Sequence, residues 1–281
     1  MIIDTHVHFY DPSRPQGVPY PSPDDELLYR TVLPEHYKKL AVPEGVTGLV
    51  IVEASEWVED NQWVLDLAAD DPFIVGVVGN LDPRSSEFAQ NLERFSANEL
   101  FRGIRARGLD PGDFATSAVL NAAEHLAEND LELDVHLGYR DYGELFGFVD
   151  RVPELRIVLN HIGNGSPIDG EEANPRWAEA MQRVAEYPQV YCKVSAVIEM
   201  SAVKPAPVDV DFYGPTLDLL WEAFGEDRLV YGSNWPPVEA AGTFSAAHGV
   251  AKAYFEAKGN EVAEKFFWRN SKAAYKWLER E

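Results

Sequence analysis

The feature of this sequence that most constrains its fold is an alternation. Short apolar runs rich in β-branched residues recur about eight times, and polar stretches with helical spacing lie between them. The runs cover residues 2–8, 47–53, 73–80, 103–107, 131–137, 156–161, 190–195 and 229–234. Such nearly continuous apolar strands suit a parallel sheet covered on both faces. The helical stretches are residues 59–69, 85–99, 118–128, 142–152, 176–186 and 215–224, with one or two more helices between 246 and 278. A Ser-Ser-Glu cap signal opens the second of these, and apolar residues follow at Phe88, Leu92 and Phe95. Strand–helix units linked by right-handed crossovers give a parallel sheet, and eight of them close into a barrel. The prediction is therefore an α/β chain forming a (β/α)8 TIM barrel, a single domain over residues 1–281. The rival, an open doubly wound sheet, usually has a glycine-rich phosphate loop after its first strand. Here Phe9-Tyr10-Asp11-Pro12 follows that strand, and Gly163-Asn164-Gly165 lacks the rest of a dinucleotide fingerprint.

Two long irregular loops interrupt the pattern, at residues 12–35 and 196–211, and both are proline-rich. Each follows a strand, so both are expected over the C-terminal face of the barrel, where such loops usually bind or cover a ligand. The aromatic tail (Phe266, Phe267, Trp268, Tyr275, Trp277) reads as core packing rather than a ligand box.

The sharpest local signal is Asp4-Thr5-His6-Val7-His8 on the first strand. Residues two apart on a strand share a face, so His6 and His8 both point into the barrel near its C-terminal end. Imidazoles seldom share an apolar interior unless something binds them, and a divalent metal is the usual answer. His136 and His161 close two further strands, which brings four imidazoles toward one mouth. A satisfied core histidine is the alternative for each, with more weight at His136. His36, His125 and His248 fall in loops or helices and carry no functional expectation.

Arg105 points up from the fourth strand and Lys193 from the seventh. A cation buried at a barrel mouth needs a partner, either a substrate carboxylate or hydroxyl or a structural acid. Glu53 ends the second strand and admits three readings: a carboxylate near a metal, a substrate acceptor, or the partner of Arg105 or Lys193. The last strand ends in Asn234 and Trp235.

The formal net charge is −23, from 47 acidic and 24 basic residues. A surface this acidic repels phosphate backbones and anionic lipid, which argues against nucleic-acid or membrane binding. Cys192 is the single cysteine, so no intrachain disulfide forms and a reducing compartment is expected. No signal-like or membrane-spanning segment is legible, and the expected location is cytoplasmic. Oligomeric state is left open, a homo-oligomer included.

Taken in order, Asp4-Thr5-His6-Val7-His8, Val77-Val78-Gly79-Asn80-Leu81-Asp82-Pro83, Phe101-Arg102-Gly103-Ile104-Arg105, Val158-Leu159-Asn160-His161-Ile162-Gly163, Val190-Tyr191-Cys192-Lys193-Val194-Ser195 and Tyr231-Gly232-Ser233-Asn234-Trp235-Pro236 span nearly the whole chain. In these segments the chain resembles the amidohydrolase superfamily, and within it the amidohydrolase-related branch of sugar-lactonase and sulfomuconolactone-hydrolase type. The resemblance implies a (β/α)8 barrel and one divalent metal ion, with zinc the first choice and manganese or iron next. It implies His6 and His8 as ligands with His161 nearby, and Arg105 and Lys193 as substrate contacts; His136 is added to the expected metal ligands, and Glu53 and Trp235 to the expected substrate-binding residues, from their strand-end positions. One position departs from the superfamily, whose last strand usually ends in a metal-binding, proton-accepting aspartate. An amide such as Asn234 cannot take a proton at neutral pH, so the base passes to His161 or His136.

The function these residues imply is hydrolysis of a lactone by metal-activated water, an EC 3.1.1 type of reaction on a small-molecule lactone or carboxylic acid. A non-oxidative decarboxylase or hydratase of aromatic or muconate-type acids is the second reading. A non-catalytic ligand-binding barrel, prompted by Asn234, is the third.

Overall fold

The structure, a computed structural model, describes residues 1–105 and 108–280. Its eight strands are β1 Ile3–Val7, β2 Gly48–Val52, β3 Ile74–Gly79, β4 Phe101–Arg105, β5 Glu132–Val135, β6 Arg156–Leu159, β7 Val190–Val194 and β8 Leu229–Tyr231. Each pairs in parallel with the next, in the order β1 to β8. Fully buried valines, isoleucines and leucines fill them because helices cover the outside, as the apolar runs predicted.

The seam between β8 and β1 is closed largely by side chains. Val7 bridges Trp235, and the His8 amide donates to the Trp235 carbonyl at 2.9 Å. Thr5 Oγ1 donates to the Tyr231 carbonyl at 2.6 Å, and the Ser233 amide donates to Asp4 Oδ1 at 2.8 Å. Asp4 and Thr5 thus latch the barrel shut beneath the two histidines that follow them. With this seam the sheet forms the (β/α)8 TIM barrel that the alternation predicted.

The larger helices are α1 Pro34–Ala41, α2 Asp60–Asp70, α3 Phe88–Ser96, α4 Ser117–Glu128, α5 Tyr142–Arg151, α6 Pro175–Val184, α7 Val210–Phe224 and α8 Phe244–Ala257. Local chemistry starts several of them. Thr116 caps α4 by accepting from the Val119 amide, Asn174 caps α6 ahead of Pro175, and Thr243 caps α8. None of the described helices is long and apolar enough to cross a membrane.

Some expected boundaries shift. The Ser-Ser-Glu signal makes a turn, with Ser85 Oγ accepting from the Glu87 amide, and α3 starts only at Phe88. The helix expected from Pro215 begins at Val210, where the Asp209 side chain caps it, and carries Pro215 inside. Helix α1 was not anticipated. The fourth strand, expected over 103–107, starts at Phe101, and residues 106 and 107 lie outside the described ones.

Two apolar layers result. The outer one lies between strands and helices and includes Phe266 and Phe267. The inner one fills the lower barrel with Ile3, Val50, Val52, Val75, Val78, Val158 and Val230, capped by Ala274, Tyr275 and Trp277 from the C-terminal tail. That tail runs through Asn260–Glu264, a π-helical turn at Lys265–Arg269, and Asn270–Tyr275. The aromatic tail is core, as expected, and its end plugs the bottom of the barrel.

Candidate active site

At the C-terminal ends of the strands the backbone leaves ordinary geometry. His161, Ala196 and Asn234, which follow β6, β7 and β8, have φ of 52°, 56° and 59°. After β6 the unusual conformation persists through Ile162, Gly163 and Asn164, at 48°, 69° and 46°. Left-handed backbone costs about 1–2 kcal/mol at each non-glycine residue, so four in succession must be held by their surroundings. Trp177 Nε1 donates to the Ile162 carbonyl at 3.0 Å, and the Gly163 amide donates to the Asn160 carbonyl at 3.0 Å. At Gly163 a Cβ would sit 2.5 Å from the Tyr142 hydroxyl and 2.7 Å from the Met181 sulfur, so only glycine fits. This turn swings His161 off its strand and over the barrel mouth.

Over that mouth lies a cavity of about 330 Å³, in the range for small-ligand sites. Its polar lining comes from His8, Tyr20, Arg105, Asp134, His136, His161 and Asn234. Leu109 and Phe114 supply an apolar wall. Tyr20 comes from the first long loop, which therefore reaches the C-terminal face as expected.

Three imidazoles cluster tightly. The His6 ring centroid is 4.9 Å from that of His8 and 4.5 Å from that of His161. His136 joins at one remove, 5.3 Å from His161. His8 Nδ1 lies 2.9 Å from the Val52 carbonyl and 3.1 Å from the Glu53 carbonyl. Two acceptors make Nδ1 the protonated nitrogen and leave the lone pair on Nε2. His161 Nδ1 lies 2.9 Å from Ser195 Oγ, so Nε2 is the nitrogen left to the cavity. Burial holds His161 well below the usual histidine range, helped by His136, Arg105 and Lys193. Burial also lowers His6, with Lys193, His161, His8 and Arg105 acting in the same direction.

His6 sits between two cationic side chains. Lys193 Nζ is 3.2 Å from its Nδ1, and Arg105 Nη1 is 3.5 Å from its Nε2. Lys193 is fully buried and donates to Asp134 Oδ2 at 2.8 Å. Tyr275, at the end of the plug, donates to Asp134 Oδ1 at 2.8 Å. A polar chain therefore runs from the bottom of the barrel to the site: Tyr275, Asp134, Lys193, His6. Arg105 is anchored by Glu53, with Nε donating to Oε1 at 2.7 Å and Nη2 to the backbone carbonyl at 2.9 Å. Of the three readings of Glu53, partner of Arg105 is the one seen.

Among the described residues lining the cavity, His6, Lys193, Glu53 and Trp235 are absent. Lys193 was expected at the substrate but lies a layer below, between Asp134 and His6, because its interior strand position leaves it no path upward. Trp235 likewise does not line the cavity. Its ring packs on Phe9 and Tyr37, and its Nε1 donates to Glu239 at 2.8 Å. Sequence reasoning missed the roles of Asp134, Ser195 and Glu199. A signal existed for Asp134. The segment Leu131-Glu132-Leu133-Asp134-Val135-His136 alternates strictly, which on a buried strand turns its polar set inward. Nothing local marks Glu199, which reaches Asn234 from the second long loop.

Among the described residues, no three histidine, cysteine, aspartate or glutamate side chains stand ready as a metal-holding group. The donors fit an ion in part. His8 and His161 are imidazoles with one nitrogen fixed by a protein partner, the arrangement metal-binding histidines use. His6 can join them only if Arg105 gives up its Nε2.

A family model described as amidohydrolase matches residues 3–277. A relative from Burkholderia ambifaria named L-fucono-1,5-lactonase is 30% identical over 245 residues, covering 86% of this chain and 82% of that protein. A second, from Burkholderia multivorans and bearing the same name, is 25% identical over 280 residues, covering 96% and 94%. An amidohydrolase from Burkholderia multivorans solved with bound zinc superposes with a TM-score of 0.89 at 23% identity, covering 99% of this chain and all of that one. With a family match over nearly its whole length and a barrel mouth lined by the histidines of its first, fifth and sixth strands, this chain belongs to the amidohydrolase family.

Proposed function

We propose that this chain hydrolyses a lactone of a sugar acid in the cavity over the barrel mouth. The observation that carries the reading is a low-pKa imidazole, His161, sharing that cavity with a guanidinium, Arg105, in a chain 30% identical to a relative named L-fucono-1,5-lactonase. His161 is neutral at pH 7, so its Nε2 can accept a proton at once. Water attacks the lactone carbonyl carbon, its proton passes to His161, and the electron pair moves onto the carbonyl oxygen. Arg105, held by Glu53, faces that developing charge. When the acyl–oxygen bond breaks, the ring oxygen leaves and takes the proton back from His161. The product is a hydroxy acid. The low pKa of His161 makes it a weak base but a strong acid once protonated, which suits an activated ester.

His136 stands beside His161 and, together with burial, helps keep it unprotonated. Lys193 Nζ lies 3.2 Å from His6 Nδ1 and so supports the cluster from below. A divalent ion, zinc by preference for imidazole donors, would be held by His8 with His6; were it also to take His161 Nε2, His136 would receive the proton instead. When bound it would supply Lewis acidity toward the carbonyl oxygen. Leu109 and Phe114 would pack on the carbon skeleton of the substrate, while Tyr20 caps it from the first loop.

The test is a panel of L-fucono-1,5-lactone, other aldonolactones and muconolactones, followed by acid release, with metal content measured on the same sample. Lactone opening is expected. Carbon dioxide release from dihydroxybenzoates without lactone opening would replace the proposal with the decarboxylase reading. Tight binding of lactones with no turnover would replace it with a binding protein. Activity that survives complete metal removal would remove the ion from the reaction while leaving the His161 and Arg105 roles in place.

A further inference from the structure

Asn234 stands where a proton-accepting aspartate is usual, and the structure supplies a reason for the amide. Glu199, from the loop after β7, lies within hydrogen-bond distance, with Asn234 Nδ2 donating to Glu199 Oε1 at 3.0 Å. The second carboxylate oxygen, Oε2, is buried and has no hydrogen-bond partner among the described residues. Burial pushes this carboxyl up to about 7, and the bond from Asn234 opposes that rise. An aspartate at position 234 would set two carboxylates about 3 Å apart in a buried place, where like charges repel strongly. The amide turns that repulsion into a bond.

The pairing also fixes which way the amide faces. A side-chain amide has a donor end and an acceptor end, and rotation by half a turn exchanges them. Above about 7 Glu199 is a carboxylate, which accepts only and so selects the Nδ2 end; its protonated form could also donate to Oδ1, so the selection belongs to the ionised state. Asn234 lines the cavity, and its backbone is locked in the left-handed region at φ 59°. With Nδ2 held behind by Glu199, Oδ1 is the end offered to the cavity.

We propose that Glu199 is a positioning residue that holds the Asn234 amide with its oxygen toward the substrate, where Oδ1 accepts a hydrogen bond from the attacking water. The role of the water rests on the lactonase reading above. The orientation of the amide does not.

A double-mutant cycle on L-fucono-1,5-lactone tests the role. Glu199→Leu is expected to lower kcat about tenfold or more while KM changes little, since a misoriented group costs rate rather than binding. In an Asn234→Ala background the same substitution should change kcat less than about twofold, because the group it positions is gone. Glu199→Gln, nearly the same shape, keeps an acceptor but can also present a donor, so its kcat should fall between wild type and Glu199→Leu. A merely structural role would lower the melting temperature and give equal losses in both backgrounds, and that result overturns the proposal. The second readout needs no turnover. The Asn234 side-chain NH2 signal, assigned by its loss in Asn234→Ala, should be protected from hydrogen exchange in wild type and exposed in Glu199→Leu. Unchanged exchange in Glu199→Leu overturns the orientation. If wild type opens no lactone, the lactonase reading fails while the exchange result still decides how Glu199 holds the amide.

Discussion

The two ends of this barrel are built from the same eight strands and differ in almost every physical respect. At the bottom the interior is mostly apolar, valine on valine with Glu132 buried beside them, and is sealed by Tyr275 and Trp277. At the top the interior is cationic and imidazole-rich, three strand ends adopt left-handed backbone, and the loops leave a cavity. The bottom holds the fold together, and that stability lets the top keep strained, crowded polar groups that would not gather by themselves. The two are not independent, since Tyr275 reaches Asp134, which holds Lys193 against His6.

The contrast breaks most visibly if the top is altered first. Arg105→Ala should lower kcat/KM on a sugar lactone about a thousandfold, as loss of a group facing the developing oxyanion does. It should also destabilise the fold, because the buried Glu53 carboxylate then loses the guanidinium hydrogen bond at 2.7 Å. Steady-state kinetics and thermal melts on one preparation separate the two effects. At the bottom, Trp277→Ala should cost about 3–5 kcal/mol in urea unfolding by emptying the plug, with kcat of the folded fraction unchanged. A large fall in kcat there would mean that the two ends are more tightly coupled than their separation implies. His161→Gln should lower kcat about a hundredfold or more with little change in melting temperature.

Glu199 sharpens the comparison through pH. Its folded-state value of about 7 lies above the ordinary 4.5, so between those values the native state holds a proton that the unfolded chain has released. Its contribution therefore favours folding at low pH and is lost as pH rises through about 7. Lys204, which lowers the carboxyl, and Tyr213, whose own ionisation it opposes, are the charged or titratable neighbours that face it. In Glu199→Gln the fall in melting temperature across that window should flatten relative to wild type. The smallest expected effect belongs to the link itself. Tyr275→Phe removes one hydrogen bond to Asp134 and should cost about 1–2 kcal/mol in stability and less than about threefold in kcat. A larger kinetic loss would make the plug part of the catalytic machinery.

Much of this was legible before any coordinates. The strand rhythm gave the eight-stranded barrel, and the His-x-His spacing of His6 and His8 placed two imidazoles on one face of β1, because side chains on a strand alternate. The end position of His161 on its strand placed it at the mouth, though not the left-handed turn that carries it over the cavity. Arg105 was recognised as a cation at the mouth, and the structure supplied Glu53 as its partner. Lys193 and Trp235 are expected at the substrate, the first from the family resemblance and the second from its strand-end position. A strand end gives depth only to within a residue or two, and that is the difference between the cavity wall and the layer beneath.

What the sequence determined by itself, then, is whatever depends on local periodicity: strand and helix type, the inward face of β1, and the order of the units around the barrel. Tertiary structure alone decided which groups meet across the interior. The pairs Glu53–Arg105, Asp134–Lys193 and Glu199–Asn234 join residues 52, 59 and 35 positions apart. No local rule couples such distant positions. Their contacts follow from barrel closure and from loops folding back over its mouth, where burial makes an unpaired charge costly and so selects the partners.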